Sequence, residues 1–195
     1  FSALQSAGYP ARFFDLAFAA DVDEVLHQTI QADFLFIGVT VRNIDDSYFA
    51  TRDFCLPRVR TLIERLKELT DAPVVVGGVG YSIFPQAALE YLGADYGVFG
   101  DGEEAIVALA RAFSSRVSPL TIPGLVWRKD GKTACNPAAT VDLSTIDLSD
   151  RPAVDNVRYF SEGAMVGFES KRGCTGRGSY CADPLAKGST CRLRQ

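Results

Sequence analysis

The chain has 195 residues, 47% of them apolar and 23% charged, with a net charge of -4. That is enough for a full α/β domain with a buried core, and it gives no support to binding nucleic acid or an anionic membrane through bulk charge. No apolar run approaches the ~18–20 residues of a membrane span, and no basic segment leading into an apolar one points to secretion.

Apolar runs alternate with amphipathic stretches. Residues 11–16 (ARFFDL) read as a short strand after a turn at Gly8. Asp21 then suits an N-cap, with Glu24 three residues on and Val25, Leu26 and Ile30 on one helical face. Residues 34–40 (FLFIGVT) are a continuous apolar run, expected of a strand covered on both faces. Residues 57–69 carry Val59, Leu62, Ile63, Leu66 and Leu69 at helical spacing, and residues 73–77 (PVVVG) form the next buried strand. Residues 85–92 predict a helix with Pro85 in its first turn and Gly93 at its stop. A strand at 96–99 and a helix at 103–113 complete the alternation. Such a β-α repeat implies a parallel doubly wound sheet, whose ligands lie beyond the carboxyl ends of the strands. The loops at 17–20, 41–47, 78–84 and 100–102 therefore matter most.

After Ser114 the pattern changes. Residues 125–128 and 132–134 flank Lys129-Asp130-Gly131, a hairpin signal. Residues 141–159 are polar and read as a linker, and residues 165–169 (MVGFE) predict a new strand. Met165 is the only methionine, so Phe1 is no start codon, and the chain reads as a fragment cut at both ends.

Several segments can carry chemistry. Gly77-Gly78-Val79-Gly80 follows a buried strand, either as a tight turn or as a close ligand approach. It is followed by Tyr81 and is not a GxGxxG fingerprint. Gly100-Asp101-Gly102-Glu103 opens a helix, where its acids suit the dipole and suit a phosphate poorly. Thr40-Val41-Arg42-Asn43 ends a strand, with Arg42 either solvated or facing a ligand. His27 is the only histidine, mid-helix, so a Ser-His-Asp triad or a histidine-rich zinc site is excluded. The five cysteines, Cys55, Cys135, Cys174, Cys181 and Cys191, make a poor disulfide framework and point to a reducing, cytoplasmic setting. Cys174 and Cys181 lie in one glycine-containing loop, as free thiols or as ligands of a soft metal centre.

The segment from Glu169-Ser170-Lys171-Arg172-Gly173 through Cys174-x-x-x-Gly178-x-Tyr180-Cys181 to Ala182-Asp183-Pro184 resembles the cluster loop of cobalamin-binding radical SAM proteins. In that family a B12-binding domain precedes a partial TIM barrel, and a CxxxCxxC loop holds a 4Fe-4S cluster that binds S-adenosylmethionine. The resemblance implies a Rossmann-like, flavodoxin-like parallel sheet lacking its first strand, then a β-hairpin linker and the first strand of the radical SAM barrel. The corresponding divisions are residues 1–115, 116–162 and 163–195. It implies a cobalamin pocket lined by Thr40, Val41, Arg42, Asn43, Gly77, Gly78, Val79, Gly80, Tyr81, Gly100, Asp101, Gly102 and Glu103. It implies iron ligation by Cys174 and Cys181, and Tyr180 beside the adenine of S-adenosylmethionine.

The family's middle cysteine is replaced by Gly178, which has no ligand atom, and Cys191 lies ten residues beyond Cys181. No catalytic residue is assigned within the chain. The parent is expected to be a methyltransferase or radical rearrangement catalyst acting on a small molecule, served by an electron donor such as flavodoxin or ferredoxin. The fragment itself is expected to be inactive. With no histidine in a D-x-H-x-x-G loop, cobalamin is expected base-off and without a histidine ligand. The alternatives are a non-catalytic cobalamin or nucleotide module with a decayed cluster loop, and a flavodoxin-like domain with no cofactor.

Overall fold

A computed structural model of the chain describes residues 1–30, 33–46, 48–146, 153–165, 167 and 169–194. In order, its main elements are α1 (Ser2–Ser6), α2 (Val22–Thr29), β1 (Ile37–Thr40), α3 (Leu56–Leu69), β2 (Val74–Gly77), α4 (Pro85–Leu92), β3 (Tyr96–Val98) and α5 (Glu103–Ser114). Then follow β4 (Leu125–Lys129), β5 (Lys132–Cys135), α6 (Asn156–Ser161), β6 (Lys171–Arg172), α7 (Asp183–Lys187) and β7 (Arg192–Leu193). Five strands form one sheet in the order β1-β2-β3-β4-β5. The first three are parallel, with Val39 opposite Val76 and Val76 opposite Gly97. The rest add antiparallel.

Local chemistry explains most of these elements. Asp21 caps α2 by accepting from the Glu24 N–H at 3.1 Å. Pro85 starts α4, and Gly93 ends it with φ 69. Asp130 and Gly131 both have positive φ, 51 and 74, as a two-residue hairpin turn between twisted strands requires.

Two cores flank the sheet. Val39, Val74 and Val76 point toward α3 and α4, where Ile63, Leu66, Leu89 and Leu92 are buried. Val75 and Val98 point the other way, toward Ala105 and Leu109 of α5. α1 packs on α5.

Three expectations are corrected. Residues 11–16 are not a strand: they run without a ladder into a 3-10 turn at Leu16–Phe18, begun by the Asp15 carboxylate accepting from the Ala17 N–H at 3.1 Å. An apolar run becomes a strand only when a partner edge takes its hydrogen bonds, and here β1 pairs with β2 alone among the described residues. β1 is also shorter than residues 34–40 and is covered on one face only. Phe36 meets Phe113 of α5 at 5.9 Å between ring centroids, but Gly38 and Thr40 lie beyond that cover and stay exposed. Finally, the polar stretch expected as a linker at 141–159 is anchored on both sides of residues 147–152, which lie outside the described residues. Val141 and Leu143 are buried, and α6 is anchored by the Tyr159 hydroxyl, which donates to Asp15 at 2.9 Å.

The hairpin of β4 and β5 forms as expected and joins the main sheet through β3. Of the strand expected at 165–169, Val166 and Phe168 lie outside the described residues. Met165, Gly167 and Glu169 are in no ladder, and pairing starts at Lys171, opposite Leu193.

Candidate functional site

The loops after β1, β2 and β3 meet at the carboxyl edge of the sheet, and the backbone joins them. The Gly80 N–H donates to Val41 O at 3.0 Å, and the Val41 N–H donates to Gly77 O at 2.7 Å. The approach is so close that a Cβ on Gly78 would stand 2.6 Å from Val41 O, and one on Gly80 would stand 2.9 Å from Arg42 O. Gly78 also has φ +103, a conformation that L side chains rarely adopt. These glycines are therefore required by loop-to-loop packing.

Ser82 completes the junction and had no signal in the sequence. Its buried hydroxyl donates to Gly78 O at 2.9 Å and accepts from the Gly100 N–H at 3.1 Å, tying the second loop to the third.

The predicted lining residues separate into two sets. Thr40, Arg42, Asn43, Gly78, Val79 and Gly100 are exposed on this rim. Val41, Gly80 and Tyr81 are buried beneath it, while Gly77 and Gly102 are half-buried. Tyr81 is a core residue: its ring lies against Gly97, whose Cβ would collide with the hydroxyl. Burial, and secondarily the neighbouring Cys135, makes that hydroxyl less acidic than a free tyrosine.

Asp101 and Glu103 are engaged by the tail. Arg172 donates to Asp101 at 3.0 Å, to both Glu103 oxygens at 2.8 and 3.1 Å, and to both Glu169 oxygens at 2.8 and 3.0 Å. Arg192 donates to both Asp101 oxygens, and the Val141 N–H adds a bond to Asp101 at 2.9 Å. Only 4% of the Asp101 side chain is exposed. Burial works to raise its pKa, but the bonds from Arg192, Val141 and Arg172 outweigh it and hold the carboxyl below its ordinary range. Arg172 is likewise desolvated, yet its three carboxylate partners keep it more firmly protonated than a free arginine.

The cysteine loop hangs between two anchors on the same edge. It begins one residue after Arg172, at Gly173, and it ends at α7, which packs on the turn Tyr81–Ile83. Cys174 is half-buried, and its thiol accepts from the Gly176 N–H at 3.4 Å. Cys181 and Cys191 are exposed, and Tyr180 is 96% exposed. Among the described residues, no group of three or more His, Cys, Asp or Glu side chains is placed to hold a metal ion. Nor is any helix among them long and apolar enough to cross a membrane.

The fold agrees with the comparisons. The B12 binding domain model matches residues 2–110, so the chain belongs to the B12-binding domain family. Among particular relatives, it is 31% identical over 240 aligned positions to tryptophan 2-C-methyltransferase of Streptomyces laurentii, covering 96% of this chain and 40% of that protein. It matches the radical S-adenosylmethionine methyltransferase TsrM of Kitasatospora setae, solved with cobalamin and a [4Fe-4S] cluster bound, at TM-score 0.89 and 32% identity. That match covers 99% of this chain and 39% of TsrM. The cobalamin-dependent S-adenosylmethionine radical enzyme OxsB shares the fold, at TM-score 0.72 and 18% identity over 99% of this chain and 26% of OxsB. The chain thus spans about 40% of the length of the curated relative it matches.

The residues present fit a corrin. The exposed rim offers glycine backbone at Gly78 and Gly100, an apolar surface at Val79, and a hydroxyl, a cation and an amide at Thr40, Arg42 and Asn43. These suit a broad apolar ring fringed with amides. His27, the only imidazole, sits on α2 and not on the rim. The donor set does not fit a three-thiolate cluster, because the loop holds two thiols and Gly178 supplies no third.

Proposed function

We propose that the chain is the cobalamin-carrying part of a cobalamin-dependent radical SAM enzyme, a methyltransferase or radical rearrangement catalyst acting on a small molecule in the cytoplasm. The observation that carries this reading is the rim itself: three strand-end loops tied into one exposed surface, in a fold whose likeness to TsrM runs past the B12-binding domain into the cysteine loop. Bound cobalamin would supply the cobalt–carbon chemistry of one-carbon transfer. The chain's own part is binding and orientation. Val79 and the backbone of Gly78 and Gly100 would bear on the ring, while Thr40, Arg42 and Asn43 would take its polar fringe. Tyr81 and Val41 support the rim from below. S-adenosylmethionine, with Tyr180 beside its adenine, and an electron donor of the flavodoxin or ferredoxin class belong to the whole enzyme under this reading.

Titration of the full chain with hydroxocobalamin, followed by the visible spectrum, tests it. A saturable shift is expected, and none at high protein concentration would overturn the reading. His27→Ala is expected to leave the bound spectrum unchanged, since cobalt takes no histidine from this chain; a changed spectrum would overturn that point.

Gly178 favours a second reading, a non-catalytic cobalamin module whose cluster loop has decayed. The position accepts a side chain: a Cβ there would lie 3.7 Å from the Cys181 Cβ, an ordinary contact. Anaerobic reconstitution of Gly178→Cys is therefore expected to raise iron uptake above that of the native chain, without cleavage of S-adenosylmethionine. Equal uptake by both would argue that the loop holds no cluster in either form.

A further inference from the structure

We infer that Asp101 is a positioning residue, the centre of an ion lock that fixes the base of the Cys174–Cys181 loop to the strand-end rim. This goes beyond the proposed function and depends on neither cofactor. Asp101 lies on the third strand-end loop, 71 residues from Arg172 and 91 from Arg192. Those two arginines face each other across the β6–β7 ladder, so one carboxylate grips both strands of the tail. Both its oxygens are used by the two arginines, and the Val141 N–H donates a fourth bond. Glu103, the first residue of α5, and Glu169 complete the shell around Arg172. Arg192 also donates to Lys187 O at 3.2 Å, which carries the lock to the end of α7.

The connection has a direct path to the thiol. Gly173 follows Arg172 with φ +83, and a Cβ there would strike Thr190 O. The next N–H, that of Cys174, donates to Gly188 O at 3.1 Å. The half-burial of Cys174 thus follows from the closure of the tail on itself, and that closed tail is held to the sheet by Asp101. Outside the lock, the tail is held by α7 on the turn Tyr81–Ile83 and by Arg194, which donates to Leu143 O at 3.2 Å and Ile146 O at 3.0 Å. Among the described residues of the tail, the buried apolar side chain is Ala186, and the β6–β7 ladder is two residues long. A charged hub carries the docking because there is little apolar surface to do it.

Thiol alkylation in the full chain tests the lock, with Cys55 as internal reference because it is also half-buried but lies at the start of α3. Asp101→Asn is expected to speed alkylation of Cys174 by about tenfold, the order of effect of losing charge-assisted hydrogen bonds, with Cys55 unchanged. General destabilisation would speed both. Should Asp101→Asn fail to fold, Arg192→Gln removes one partner from a more exposed position and is expected to give a smaller, equally selective rise. Arg192→Lys is expected to restore part of the protection. If Cys174 reacts no faster in either variant, or no faster than Cys55, Asp101 does not position the loop.

Discussion

The two halves of the rim are assembled by opposite means. Between the loops after β1 and β2 the joints are backbone on backbone, with glycines admitting distances no side chain would allow. Between the third loop and the tail the joints are arginine on carboxylate. A backbone joint has no titratable part and no tolerance for a Cβ. An ion lock tolerates small displacements and can be released by one proton or one substitution. The surface proposed to bear the corrin is therefore rigid, while the cysteine loop beside it is attached separably.

The largest expected effect lies on the rigid side. Gly78→Val combines a Cβ 2.6 Å from Val41 O with a φ of +103 that valine resists. Overpacking and backbone strain together predict a loss of about 3 kcal/mol or more, read by chemical denaturation. A loss below about 1 kcal/mol would mean that the two loops separate easily and the contrast fails.

Acid should act on the other side. The Asp101 carboxyl is held below its ordinary range, so its stabilising effect is present above the unfolded value of about 3.9 and is lost as pH falls through the lower folded value. Hydrogen exchange at residues 171–174 and 192–194, corrected for intrinsic rates, is expected to stay slow at pH 5 and to rise below about pH 4. In Asp101→Asn exchange should already be fast at pH 5, with the acid step gone. An acid step that survives the substitution would assign the lock to Glu103 and Glu169.

Much of the sheet was legible because its signals are local. The Asp21 cap, Pro85 and Gly93 around α4, and Asp130-Gly131 in the hairpin each act within a few residues. Residues 11–16 were misread because a short, largely apolar segment after a turn says nothing about whether an edge is free to pair with it. The same limit hid the lock. Asp101 and Glu103 look like helix-start acids in the sequence, and their arginines stand far along the chain. Gly97 and Tyr81 were legible as a glycine and an aromatic, but not as two halves of one packing contact.

That contact supplies the smallest and most discriminating substitution. The Tyr81 hydroxyl is buried with no hydrogen-bond partner among the described residues, against Gly97 under the rim. Removing a buried hydroxyl that bonds nothing relieves a desolvation cost, so Tyr81→Phe is expected to be neutral or stabilising by up to about 1 kcal/mol. Because the ring stays in place, the rim and its hydroxocobalamin spectrum should be unchanged. Gly97→Ala attacks the same contact from the strand and must displace the ring, so it should both destabilise the fold and weaken the corrin titration. If Tyr81→Phe instead weakens binding while leaving stability intact, the hydroxyl reaches the cofactor, and Tyr81 belongs to the lining of the pocket and not to its foundation.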